Sequence, residues 1–168
     1  KGYITSWREK DLFGRATLAF GYGISVTLAQ LIQALSVVAN DGYYKPLCII
    51  EEECKSKTAV RLFPKQPIQA IQEAMAAAVK YYGTGFRAQV QGYSVAGKTG
   101  TANIARRHGY DSSKRIASFI GYSPAEHPKY LVAVMIAEPN FKTRFGGLAA
   151  APVFADIIRG VWRIHAEK

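Results

Sequence analysis

The sequence predicts an α+β domain built from an antiparallel strand meander packed by helices. Three observations carry that reading. The segments with helical apolar spacing precede a run of three strand-like segments, and a last helical segment closes the chain. That order differs from the strict β-α-β alternation of a parallel fold. Apolar residues make up 49% of the chain and aromatic residues 12%, enough for a sizeable core and against a disordered chain. At 168 residues the chain fits one domain or a large piece of one.

The elements follow in order. Gly21-Tyr22-Gly23 ends an irregular entry segment. Thr27 caps a helix whose apolar residues fall at Leu28, Leu31, Ile32, Leu35 and Val38, and Gly42 stops it. Residues 44–63 predict a polar hairpin, with a charged turn over Glu51 to Lys57 between two short strands. Pro67 suits a first helical position, and Ile68, Ile71, Met75, Ala78, Val79 and Tyr82 continue one buried face. Gly83-Thr84-Gly85 ends that helix. Strands are expected over 93–102, 116–122 and 130–137. The last is apolar at nearly every position, as expected of a central strand covered on both faces. A turn at Phe145-Gly146-Gly147 leads into a final helix. There Phe154, Ile157, Ile158, Val161, Trp162 and His165 share one side, with His165 a helix-end cation rather than a ligand.

Composition narrows the partners. The formal charge is +10, with a local basic group at Arg106, Arg107, His108, Lys114 and Arg115. Such charge favours anionic partners, although a solvated basic face is the better account of the charge on its own. The aromatic-basic interleaving of an RNA-binding strand is absent there, and no nucleic-acid partner is expected. No apolar run reaches the roughly 20 residues of a membrane-spanning helix. Cys48 and Cys54 read as two free thiols. If 47–53 is a strand, their Cα atoms lie ~20 Å apart, beyond the ~7 Å a disulfide tolerates. Neither has a nearby ligand at metal-binding spacing, so neither a metal nor a cofactor is expected.

The segment Gly92-Tyr93-Ser94-Val95-Ala96-Gly97-Lys98-Thr99-Gly100-Thr101-Ala102 admits two incompatible readings. Gly92-x-x-x-x-Gly97-Lys98-Thr99 has the spacing of a phosphate-binding loop. Such a loop needs an apolar strand before it, and Arg87-Ala88-Gln89-Val90-Gln91 is mostly polar. It also needs a helix starting at Lys98, where Gly100 and Thr101 are poor first-turn residues. Tyr93 to Ala96 favour extended chain instead of a glycine-rich loop. Glu138 alone, following an apolar strand as a magnesium-side acid would, favours the nucleotide reading. The alternative is an edge strand. Lys98 and Gly100 then point one way, Thr99 and Thr101 the other. A peptide can pair with such an edge, and Gly100 leaves room for its backbone. Lys98 supplies positive charge, and the threonine hydroxyls offer hydrogen bonds to a carboxylate. The Thr101 N–H could face a developing oxyanion.

Lys98-Thr99-Gly100 on a strand resembles the third motif of penicillin-binding proteins and serine β-lactamases. The context strengthens the resemblance. The segments 20–27, Gln30-Leu31, 39–42, 83–85, Gly92-Tyr93, 96–102, 121–124, 145–147 and 151–154 are similar to class B penicillin-binding proteins, in that family's order and spacing. The likeness runs from about Arg15 to His165 and is nearest the cell-division, septal type. It implies a partial penicillin-binding/serine β-lactamase-like fold and a serine D,D-transpeptidase that crosslinks peptidoglycan stem peptides. By the resemblance, Lys98 and Thr101 belong to the catalytic apparatus. Thr99, Gly100 and Thr101 bind substrate, and Tyr110 and Phe145 line the mouth. The implied partners are the D-Ala-D-Ala end of a stem peptide, β-lactams and cell-division proteins. The implied location is the periplasmic face of the bacterial inner membrane.

Two family motifs are absent. The serines at 6, 25, 36, 56, 94, 112, 113, 118 and 123 have no lysine three positions on and no asparagine two positions on. The chain is therefore expected to be the C-terminal portion of a single transpeptidase domain, residues 1–168. The nucleophile, its lysine and a membrane anchor would lie upstream, and the segment alone would be inactive. It is also expected to expose core surface that the upstream portion would cover. The usual Thr-Pro-Leu-Gln run stands here as Thr27-Leu28-Ala29-Gln30, a departure that touches a helix start rather than the site. A non-catalytic binding module on the same fold, a serine β-lactamase and a nucleotide-binding domain are the other readings.

Overall fold

The computed structural model describes residues 2–4, 12–19, 21, 23–106 and 109–166. Its elements in chain order are β1 (Tyr3–Ile4), α1 (Leu12–Leu18), β2 (Ile24–Ser25), α2 (Leu28–Ala39), β3 (Tyr43–Tyr44), α3 (Glu51–Ser56) and β4 (Val60–Arg61). There follow α4 (Lys65–Val79), β5 (Ala96–Arg106), β6 (Gly109–Ser123), β7 (Tyr130–Ala137) and α5 (Gly146–Ala166). The expected α+β class and antiparallel meander are present. The pairs β1–β2 and β3–β4 are small antiparallel ribbons, and β5-β6-β7 is the main sheet. The entry segment contains α1, a short helix that its internal glycine, Gly14, hides from a periodicity reading.

Local chemistry sets α2. The Thr27 hydroxyl accepts from the Gln30 N–H at 3.2 Å, and the Gln30 side chain accepts from the Thr27 N–H at 3.0 Å. This reciprocal box satisfies two helix-end donors. Gly42 follows at φ +90°, a conformation that costs glycine little. Its N–H closes the helix onto the Val37 carbonyl. In α4, Pro64 takes the cap and Pro67 sits on the third residue, not the first. Ile68, Met75 and Val79 are buried as expected. Ile71 is exposed within α4, and Tyr82 is exposed because α4 ends at Val79 and Tyr82 lies beyond its helical face.

Helices cover both faces of the sheet. On one, Phe119 of β6 and Val134 of β7 pack with Phe154, Ile158 and Trp162 of α5. On the other, Tyr122 and Ala96 meet Met75 of α4 and Leu35 and Val38 of α2. The expected α5 face is buried at Phe154, Ile158 and Trp162, whereas Ile157 is exposed on its flank. His165 lies 2.9 Å from the Tyr130 hydroxyl, so it ties the end of α5 to the start of β7. Trp162 donates to the buried Ser123 hydroxyl at 3.1 Å, which donates to the Ser94 carbonyl at 2.9 Å. The Tyr122 hydroxyl is buried, and its pKa is pushed up to about 12, first by burial and then by the Asp41 charge.

Two expectations need correction. Among the described residues β6 is the central strand and β7 an edge. Only Val134 of β7 is buried, and Met135 is exposed. The apolar run reflects helices on both faces of β7, which periodicity reports. It says nothing about which strand lies alongside.

The cysteines are also not free. Cys48 and Cys54 form a disulfide with Cα atoms 5.5 Å apart. The predicted turn is the helix α3, which folds the chain back within six residues. Glu51, Glu52 and Glu53 favour its N-terminal turn, and Lys55 pairs with Glu51 at 2.8 Å. Closing so short a loop contributes about 2 kcal/mol by the chain-entropy account. Replacing both cysteines with serine is expected to lower the denaturant midpoint accordingly. In the unsubstituted chain, alkylation should add mass only after reduction.

Candidate active site

The site is built on β5 and the start of α5. In register, Lys98 faces Ile120, Thr99 faces Phe119, Gly100 faces Ser118 and Thr101 faces Ala117 of β6. Among the described residues β5 has no strand on its other side. Its outer backbone groups can therefore pair with a peptide. Alternation sends Thr99 and Thr101 to the α5 face and Lys98 to the opposite face.

Thr99 and Thr101 form one wall of a groove of about 520 Å³. Gly83, Thr84, Phe86 and Arg87 line a second wall, and Phe145, Gly146, Gly147 and Leu148 the third. The Thr101 hydroxyl accepts from the Gly146 N–H at 3.0 Å. That bond uses an oxygen lone pair and leaves the hydroxyl hydrogen available to a ligand. The Thr99 and Thr84 hydroxyls lie 3.1 Å apart. The Thr99 hydroxyl donates to Thr84 here, and hydroxyl rotation lets the same hydrogen turn to a bound carboxylate instead. Lys98 is exposed outside the groove, and its Nζ donates to the Thr99 carbonyl at 2.8 Å.

Glycines allow the close approach of these walls. A Cβ on Gly100 would collide with the Ser118 hydroxyl. One on Gly146 would collide with the backbone carbonyls of Ser118 and Gly100, and one on Gly147 with the Thr84 carbonyl. Phe145 stands at the mouth, with the Arg115 and Arg144 guanidinium carbons 5.1 and 5.7 Å from its ring centre. Such cation–π contacts restrain an exposed ring.

The structure thus brings Thr99, Gly100, Thr101 and Phe145 together and sets Lys98 beside them on the other face. The Tyr110 backbone pairs with Ala105, four residues along β5 from Thr101 and roughly 13 Å away. Its side chain lies outside the described residues. Of the basic group, Arg107 and His108 lie outside the described residues, as does the Arg106 side chain. Lys114 pairs with Glu138 at 2.6 Å. Sequence reasoning missed Gly83, Thr84, Phe86, Arg87, Gly146, Gly147 and Leu148 as lining residues. The Gly83-Thr84-Gly85 and Phe145-Gly146-Gly147 strings were the signals that pointed to some of them. Lys98 and Thr99 lie inside a strand rather than at a helix start, so the geometry of a phosphate loop is absent.

A second groove, of about 650 Å³, lies between the end of α4 and the segment leading into β5. Lys80, Gln89, Ser94, Glu126 and Arg159 are among its lining residues. The Ser94 hydroxyl there donates to Glu126 and holds its carboxyl below the usual range.

Known proteins share this fold. The family described as "Penicillin binding protein transpeptidase domain" matches residues 1–159. The "Probable peptidoglycan D,D-transpeptidase PenA" of Neisseria flavescens is 34% identical over 159 residues, 95% of this chain and 40% of that protein. The "Peptidoglycan D,D-transpeptidase FtsI" of Escherichia coli K12 is 35% identical over 149 residues, 89% of this chain and 25% of that protein. The apo transpeptidase domain of Burkholderia pseudomallei penicillin-binding protein 3 superposes with a TM-score of 0.85 at 34% identity. The superposition covers 97% of this chain and 50% of that one. The chain therefore spans less than half the length of these curated relatives and half of this solved domain. A family match over nearly the whole chain, on this fold, shows that the chain belongs to the transpeptidase domains of class B penicillin-binding proteins.

Proposed function

We propose that residues 1–168 are the C-terminal portion of one D,D-transpeptidase domain and supply its peptide-binding wall. The observation that carries this reading is the pairing of Thr99 and Thr101 on an open edge strand, facing one groove. In the proposed reaction, a serine from the upstream portion attacks the penultimate D-alanine carbonyl of a stem peptide. The terminal D-alanine leaves, and an amine of a second strand takes the acyl group. A β-lactam reacts with the same serine but has no leaving group that departs.

Each residue here has a role in that scheme. The Thr99 and Thr101 hydroxyls hydrogen-bond the terminal carboxylate of the peptide or drug. The Thr101 N–H donates to the oxyanion that develops on the attacked carbonyl, where a positioned donor stabilises charge most. Gly100 lets the peptide backbone approach. Lys98, on the far face of the strand, supplies positive charge toward the side from which the upstream serine would come. Phe145 borders the mouth, and Tyr110 belongs to the same hairpin. Relatives named as peptidoglycan D,D-transpeptidases support a place at the periplasmic face of the inner membrane, and division proteins are the expected partners there. Among the described residues no helix is long and apolar enough to cross a membrane.

Covalent labelling tests the reading. A parent protein that carries the upstream residues should gain one benzylpenicillin mass, whereas the 168-residue chain should gain none. An unlabelled, folded parent would favour a non-catalytic binding module instead.

A further inference from the structure

The groove holds one ionisable side chain among its described lining residues, and it is Arg87. Among the described residues no acidic side chain lines the groove, and Lys98 lies outside it. Arg87 makes no salt bridge to any described carboxylate. Arg87 is exposed, and the turn that carries its backbone is ordered. Residues Phe86–Ala88 form a single 3-10 turn with Ala88 fully buried. The Gly85 N–H donates to the Ala78 carbonyl at 2.9 Å, and the Gln89 side chain donates to the Val79 carbonyl at 2.9 Å. Phe86 packs edge-on to Tyr81, with ring centres 5.4 Å apart. A cation on an ordered turn loses less freedom on binding than one on a mobile loop.

We propose that Arg87 is a specificity residue of this groove and binds a second carboxylate of an acidic peptide. The inference rests on the transpeptidase reading above. Under that reading the Thr99 and Thr101 hydroxyls serve the two oxygens of the terminal carboxylate. The Arg87 guanidinium, with its fork of donors, is left for another acidic group. In an extended peptide, the side chain two residues before the end lies roughly 7 Å along the strand. A carboxylate at that residue would be selected over the matching amide, because it offers the guanidinium two anionic acceptor oxygens where the amide offers one neutral oxygen and a donor that the fork cannot use.

The test uses the parent protein and two acetylated tripeptides, Glu-D-Ala-D-Ala and Gln-D-Ala-D-Ala, competing against benzylpenicillin acylation. Unsubstituted protein should prefer the glutamate peptide about tenfold, as expected for one charge-assisted hydrogen-bonded pair. Arg87→Gln should bring that ratio to unity. Arg87→Lys should give an intermediate ratio, since a point charge lacks the fork. The ratio within each protein is the readout, so a change in overall reactivity cancels. A ratio of unity in the unsubstituted protein, or one unchanged in Arg87→Gln, would overturn the assignment. A parent that benzylpenicillin does not acylate would instead overturn the transpeptidase reading, and this inference with it.

Discussion

Thr101→Val in the parent protein is expected to slow acylation by benzylpenicillin roughly 100-fold, a barrier increase of about 3 kcal/mol. Valine keeps the branched shape that suits a strand and removes only the hydroxyl. Two bonds are lost together. The Gly146 N–H loses the oxygen it meets at 3.0 Å, and the bound carboxylate loses a donor. An unmet donor and a missing bond to a charged group each cost about 1–3 kcal/mol. Part of the first cost falls on folding, which leaves about 3 kcal/mol for the reaction. The second-order acylation rate is the measurement, with a thermal melt to confirm folding. A rate equal to that of the unsubstituted protein would remove Thr101 from the site.

Gly146→Ala should produce the greater loss of stability. Its Cβ would enter the space of two backbone carbonyls, and the Gly100 nitrogen would lie only 3.1 Å away. Side chains can rotate away from a new methyl, but these backbone atoms are fixed by the β5–β6 ladder. Overpacking typically costs 1–3 kcal/mol, and a backbone clash places this variant at about 3 kcal/mol or more. The same displacement would move Phe145 and break the Gly146–Thr101 bond, so acylation should fall as well. Gly160 is the internal comparison. It lies in the same helix, and a methyl added there would meet nothing within 4 Å. Gly160→Ala should raise stability by about 0.5–1 kcal/mol through helix propensity alone. Denaturant titration separates the two variants, and equal effects would contradict the close packing of α5 on the sheet.

What the sequence revealed depended on the range of the interaction. The Thr27 cap and the Gly42 stop each act on backbone within a few residues of themselves, so their chemistry is readable directly, although the Gln30 half of the cap was not read. The β5 segment was readable because Tyr93 to Ala96 favour extended chain and Gly100 and Thr101 disfavour a helix start. The Cys48–Cys54 disulfide was not, because the reading placed a strand and a turn where Glu51 to Ser56 form a helix. The three glutamates and the Glu51–Lys55 pair were the local signal for it. The neighbours of β7 were illegible for a different reason. Alternation and apolar runs report which faces are covered, and strand order is decided by distant segments. Arg87 is the clearest case at the site. Nothing near it in sequence sets it apart from a solvated arginine. Its place opposite Thr99 and Thr101 arises only when the turn after α4 packs against β5 and α5.

In the proposed domain this chain supplies the binding wall of a transpeptidase groove, and the nucleophile comes from upstream. Proteolytic mapping of the parent protein after benzylpenicillin treatment tests it most directly. The account predicts one drug adduct on a serine that precedes Lys1, with every peptide from residues 1–168 unmodified. An adduct on Ser94, Ser118 or any other serine of this chain, or no adduct on a folded parent, would contradict it.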